Sequence, residues 1–180
     1  MEARMEFCSV VREDEDMKSQ PGSDVKTNDV VQTPVKLAKD IVMHFNPEEV
    51  VLEPCRGEGN FYRHLPSGSP WCEISEGKDF FNFSDRVNWI ITNPPWSKVR
   101  GFLQHGMEIA DHIVFLMTIN YVWTNARLKL IAAHGFGIKE ILWVPWPGLE
   151  SNFPRSGFAL GAIHIERNWK GDIRWENMVA

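Results

Sequence analysis

The chemistry in this sequence is concentrated in a few short stretches. Asn93-Pro94-Pro95-Trp96 directly follows the apolar run Val87-Asn88-Trp89-Ile90-Ile91-Thr92. A proline has no backbone N–H to donate, so two in a row end a strand and stiffen the turn after it. Such a turn aims the Asn93 side-chain oxygen and a proline carbonyl at one spot. Two acceptors without a proton-transfer group suit an exocyclic –NH2, because each takes one amino hydrogen. The nitrogen is then drawn toward tetrahedral geometry and its lone pair is free to attack an electrophilic methyl. Trp96 offers an aromatic face to the planar ring that bears the amine, and base–aromatic stacking contributes about 1–3 kcal/mol.

Three weaker stretches precede it. Glu53-Pro54-Cys55-Arg56-Gly57-Glu58-Gly59 closes another apolar run. Its two glycines, one residue apart, let the backbone approach a ligand beside a carboxylate. No Gly-Lys-Ser/Thr follows, so it is not a phosphate loop. Glu73, with Ile74 after it, lies about twenty residues beyond Glu53, where an acid can accept ribose hydroxyls. Asp79-Phe80 offers an acceptor for an adenine amino group and a ring for a purine face. Taken singly, each has an ordinary alternative: a plain turn, a surface glutamate, a loop aspartate beside a core phenylalanine.

These residues need a scaffold that brings them to one edge. Thr33 reads as a helix N-cap and Pro34 as the first helical residue. Val35, Leu37, Ala38, Ile41, Val42 and Phe45 follow at helical spacing, and the helix ends near 44–47. Strands are predicted at 49–54, 71–74, 87–92, 112–118, 138–144 and 158–165. Helices are predicted at 61–65, 97–111 and 125–133. Strands alternating with helices give an α/β fold with a mostly parallel sheet. Residues 145–157 hold Pro145, Pro147, Gly148 and Pro154 and read as a loop. The last two strands therefore form a late hairpin, with the final strand antiparallel. In such sheets ligands bind outside the carboxyl ends of the strands, and three of the strand ends carry these unusual residues, with Asp79-Phe80 following a short loop.

In these motifs and their order the chain resembles the class I S-adenosylmethionine-dependent methyltransferases. Within them it is similar to the N6-adenine DNA methyltransferases of gamma motif order, and to the compact ones of phages and prophages. The resemblance covers about residues 28–165. It implies a Rossmann-like sheet and S-adenosyl-L-methionine as cofactor. It implies cofactor contacts at Thr33, Pro34, Glu53, Pro54, Gly57, Gly59, Glu73, Ile74, Asp79, Phe80 and Asn93, and catalysis at Asn93, Pro94, Pro95 and Trp96. Substrate contacts are expected from Trp96, from Asn120 and Tyr121 after the long buried strand, and from Phe153 and Arg155 on the late loop. The same four-residue motif serves enzymes that methylate an RNA base amine or a protein glutamine. A non-catalytic cofactor-binding subunit is a further reading.

Composition bounds the rest. The 180 residues are 43% hydrophobic, enough for one domain with a real core. Residues 1–28 read as a partly disordered tail, and 29–180 as a single catalytic domain without a separate target-recognition domain. Recognition then falls to the 119–127 and 145–157 segments, to a partner recognition subunit, or to a homodimer's second copy. The net charge of -5 weakens non-specific attraction to phosphates. Nucleic acid is nonetheless the expected partner, with DNA ranked ahead of RNA. Three cysteines without paired spacing predict neither a disulfide framework nor a metal site. No apolar run approaches a membrane span, so a cytoplasmic protein of a bacterial or phage-infected cell is expected.

Overall fold

The computed structural model describes residues 31–148, 153 and 156–178. The predicted tail at 1–28 lies outside these, as does Arg155. Three helices and six strands follow in order: α1 (Val35–Phe45), β1 (Val51–Leu52), β2 (Trp89–Thr92), α2 (Val99–Ile109), β3 (His112–Thr118), α3 (Asn125–Ala133), β4 (Phe136–Val144), β5 (Leu160–Arg167) and β6 (Arg174–Asn177). Among the described residues no helix is long and apolar enough to cross a membrane.

The six strands form one sheet in the order β1-β2-β3-β5-β4-β6. β1, β2 and β3 pair in parallel, β5 runs antiparallel between β3 and β4, and β6 lies parallel on the outer edge of β4. This is the mixed α/β, Rossmann-like arrangement expected, with the late antiparallel strand inserted into the sheet rather than appended to it.

The packing follows from the pattern of side chains. β3 is apolar at nearly every position because both its faces are covered. On one face Leu52, Ile90, Ile113, Phe115 and Ile163 meet Phe102, Leu103 and Met107 of α2 and Ile131 of α3. On the other, Val51, Ile91, Val114, Leu116 and Ala162 meet Leu37, Ala38, Ile41 and Val42 of α1. Each large aliphatic side chain buried this way contributes about 1.5–3 kcal/mol, which secures α1 although it lacks a side-chain cap.

That last point corrects the reading of Thr33. Pro34, not Thr33, caps α1, and no side chain accepts a cap hydrogen bond there. Thr33 is instead buried, and its carbonyl accepts from Asn60 Nδ2 at 2.9 Å. α3 is capped as its sequence allows, with Thr124 Oγ1 accepting from the Arg127 amide at 3.3 Å.

One predicted strand and one predicted helix also need correction. Residues 71–74 form no strand; Trp71 makes a single parallel bridge to Glu53, and Glu73 one to Lys78. The chain turns there into a short 3-10 helix, Ile74–Glu76, closed by Gly77 at φ +75°. The predicted helix at 61–65 is likewise one 3-10 turn, Tyr62–His64. The sixth strand is β6, which sequence patterning did not indicate. All four of its residues are exposed, so it carries no apolar alternation.

Candidate functional site

The carboxyl ends of β1, β2, β3 and β4 share one sheet edge. Glu53 follows β1, Asn93 follows β2, Asn120 and Tyr121 follow β3, and Trp146 lies just past β4. The predicted residues within the described chain gather there, with the 73–80 segment joined through the bridge at Glu53.

Glu53 is the most unusual of them. It is 1% exposed, and its Oε2 has no hydrogen-bond partner among the described residues. Burial pushes its pKa up to about 8, against the weaker opposing pull of a Tyr62 backbone bond and the Arg56 charge. A buried, unmatched carboxylate oxygen is costly unless something donates to it. Pro54, also buried, stops the strand at this point.

The loop beyond is shaped by its glycines. Gly57 and Gly59 adopt φ +50° and +78°, and a Cβ on Gly57 would stand 2.7 Å from Gln32 Oε1. Gln32 Oε1 also accepts from the Glu58 amide at 3.2 Å. With the Asn60–Thr33 bond, this lays residues 32–34 along the loop. Thr33 and Pro34 therefore border the same cradle as Gly57 and Gly59.

Glu73 closes that cradle from the side. Its carboxylate accepts from the Gly57 amide at 2.7 Å, the Ser75 amide at 3.1 Å and Ser75 Oγ at 2.8 Å. Partial burial alone would raise its pKa; the two Ser75 bonds, the Gly57 bond and the Arg56 charge together lower it. Three of about four acceptor directions are thus used. Accepting two ribose hydroxyls would require releasing a Ser75 bond. Ile74 beside it is exposed.

Asp79 caps the next 3-10 turn through the Phe81 amide at 3.0 Å and stays half-buried. Phe80 differs from its predicted role. It is 2% exposed and stacked on Phe102 at 4.8 Å, with His105 edge-on at 4.7 Å. Its ring is core, so stacking on a purine is not open to it. Phe81, which was not singled out from sequence, is the exposed ring of the pair.

The catalytic candidate is held by its own motif. Trp96 Nε1 donates to Asn93 Oδ1 at 3.1 Å and to the Leu116 carbonyl of β3 at 3.3 Å. Tyr121 Oη donates to the Trp96 carbonyl at 2.8 Å. Arg127 lies over the Tyr121 ring at 3.7 Å and bonds the Tyr121 carbonyl at 2.7 Å. Asn93 is thereby locked in orientation with one oxygen lone pair left over. The Pro95 carbonyl accepts from the Lys98 amide at 2.9 Å, whereas the Pro94 carbonyl accepts no bond among the described residues. Two acceptors of the expected kind are available side by side in sequence.

The rings around Trp96 include one that sequence reading left among general packing candidates. Trp146 stands edge-on at 6.5 Å, and Phe153, buried, at 6.2 Å. Phe153 thus joins the site, while Asn120 is exposed at its rim. Trp146 sits two residues past the carboxyl end of β4, and that position was the available signal. Burial pushes the thiols of Cys55 and Cys72, the two cysteines among the described residues, up, Cys72 to about 11.

No protein-family profile and no curated protein matches the sequence. Solved structures do match the fold. A candidate RNA methyltransferase of Pyrococcus horikoshii superposes with TM-score 0.57 at 18% identity, over 76% of this chain and 87% of that one. A candidate class I S-adenosylmethionine-dependent methyltransferase of Listeria monocytogenes gives 0.57 at 12%, over 86% and 68%. The modification subunit of a candidate type I restriction enzyme of Vibrio vulnificus gives 0.57 at 15%, over 83% of this chain and 47% of that one. At these identities the likeness is one of fold.

Proposed function

We propose that the chain is an S-adenosylmethionine-dependent methyltransferase acting on an exocyclic amine, with adenine N6 in DNA as the leading substrate. The observation that carries this reading is the Asn93 carboxamide, fixed by Trp96 at the carboxyl end of β2, next to a Pro94 carbonyl that accepts no bond among the described residues. The fold neighbours, which include methyltransferases described for RNA and a restriction-modification subunit, support it.

The cradle suits the cofactor by its chemistry. Its inward groups are acceptors, namely Glu53, Glu73 and Asp79, which match amino and hydroxyl donors. Arg56 and Lys78 lie over the Trp71 ring at 3.9 and 3.3 Å, so neither is presented as a phosphate ligand. The unmatched Glu53 oxygen is the clearest vacancy for a donor. Thr33, Pro34, Pro54, Gly57, Gly59 and Ile74 would line the rest.

When bound, the cofactor supplies an electrophilic methyl on a sulfonium. Asn93 Oδ1 and the Pro94 carbonyl each take one amine hydrogen and turn the lone pair toward that methyl. Trp96, Trp146 and Phe153 wall the planar ring in place. Attack by the amine nitrogen would take that methyl from the sulfonium, leaving a neutral thioether, and the amine would then release one proton to solvent. Positioning and charge stabilisation carry the rate. A base in a duplex must first leave its stack, at a cost of a few kcal/mol.

One observation favours unpaired nucleic acid, including RNA, as a second reading. Trp123 and Trp175, 41% and 59% exposed, are stacked on each other at 6.4 Å just past the β3 end. Exposed rings of this kind stack on single-stranded bases. Duplex recognition would then come from a partner subunit or a second copy bound to the single 29–180 catalytic domain.

The test is Asn93→Ala. Methyl transfer should fall on the order of 10²–10³-fold, the loss typical of removing one preorganised polar group. Cofactor affinity should stay within a few-fold of wild type. Near-normal methylation by this variant would overturn the assignment.

A further inference from the structure

The opposite end of the sheet holds a second cluster of ligand-type side chains, unrelated to the proposed methyl transfer. His112 opens β3, and Glu166 lies directly across from it on β5. His164 lies across from Val114, so all three share the face covered by α1. His112 Nδ1 stands 3.2 Å from His164 Nε2 and 3.3 Å from Glu166 Oε2. His164 Nε2 is 3.8 Å from the same oxygen.

These separations match a metal's coordination shell. Zinc binds imidazole nitrogen and carboxylate oxygen at about 2.0–2.1 Å, and a tetrahedral arrangement sets such atoms about 3.3 Å apart. A point equidistant from the three atoms lies about 2.0 Å from each, which is that bond length. An octahedral ion of similar bond length would hold neighbouring ligands closer, near 3 Å. Two imidazoles and one carboxylate are also a donor set that zinc accepts.

The surroundings are those of a built site. His164 is 2% exposed, while His112 and Glu166 are only partly buried and reach solvent. Trp89 stacks on the His112 ring at 4.2 Å and on the His164 ring at 5.0 Å, and Phe45 meets His164 edge-on at 5.6 Å. These rings fix both imidazole planes. Asp111 and Glu49 add negative potential at His112. Lys139 Nζ lies 2.5 Å from Glu166 Oε2 and occupies the place of a cation.

We propose that His112, His164 and Glu166 form a zinc site, completed by water, that clamps β3 to β5 at the sheet end opposite Asn93. Zinc and the Lys139 ammonium are then alternative counter-charges for the same carboxylate oxygen. Cysteine spacing could not reveal such a site, because strand register brings together histidines 52 residues apart.

The test uses the full chain, stripped with chelator and titrated with zinc alone. The expected result is one zinc per chain after gel filtration, with a raised Tm. His112→Gln and Glu166→Gln, both at partly exposed positions, should each weaken zinc at least tenfold while circular dichroism stays unchanged. Lys139→Gln should tighten zinc several-fold by removing its competitor. Cobalt in place of zinc should give the intense visible bands of a four-coordinate ion. Sub-stoichiometric zinc, or equal affinity in wild type, His112→Gln and Glu166→Gln, would overturn the proposal, as would weaker zinc binding by Lys139→Gln.

Discussion

Two buried glutamates near opposite ends of this sheet are treated in opposite ways. At the carboxyl end, Glu53 is buried with an oxygen that nothing among the described residues satisfies. At the amino end, Glu140 is equally buried but is met by both His44 and Arg174. An unmatched group costs stability and persists where something else is meant to complete it. A matched group holds strands in register. The unmatched carboxyl at one end is thus open to a donor from outside the chain, whereas the pairings of Glu140 tie β4 to α1 and β6.

The comparison breaks if the matched end proves dispensable for stability. Replacing both partners of Glu140, as His44→Leu with Arg174→Leu, leaves a buried carboxylate without a cation. Such losses cost about 3–5 kcal/mol. Chemical denaturation should show a drop of that size, with cofactor affinity per folded molecule unchanged.

The unmatched end should behave in reverse. Glu53→Gln keeps the shape but replaces one carboxyl oxygen by an amide nitrogen that cannot accept a donor, so cofactor binding should weaken about 10–100-fold by calorimetry, with no loss of stability. Its pH profile carries the sign. The folded pKa of Glu53, about 8, lies above its ordinary 4.5. Its contribution to stability is thus fully present below 4.5 and is lost as pH rises through about 8. The Tm of wild type should fall relative to Glu53→Gln between pH 5 and pH 9. A constant difference across that window would contradict the burial argument.

A smaller effect sharpens the substrate side. Trp123→Ser removes one ring of an exposed stacked pair and touches neither Glu53 nor Asn93. Binding to single-stranded DNA should weaken about fivefold, near 1 kcal/mol, with cofactor affinity unchanged. An effect on duplex DNA alone would argue against the stacking role.

Sequence legibility divides along the same line. The placement of the motif residues at the carboxyl end was readable because they lie within a few positions of strand ends. Gly57, Gly59 and Pro94-Pro95 have local backbone reasons for their types. α3 was readable to its limits because Thr124 caps it. Phe80 was misjudged because an aromatic beside an aspartate looks the same in sequence whether it faces a ligand or Phe102. The strand at 71–74 failed because the chain turns at Ile74 before a ladder can form. β6 was invisible since an exposed edge strand needs no apolar period. The amino-end network was unreadable altogether: His44, Glu140, His164 and Arg174 meet only once pairing and register are known.

Wild type and Asn93→Ala should be incubated with S-adenosylmethionine labelled on its methyl group, in the presence of duplex DNA, single-stranded DNA, RNA and protein. The account predicts label in nucleic acid, recovered as N6-methyladenine, for wild type and on the order of 10²–10³-fold less for the variant. Label only in protein, on oxygen or ring carbon, or equal label from both proteins would contradict it.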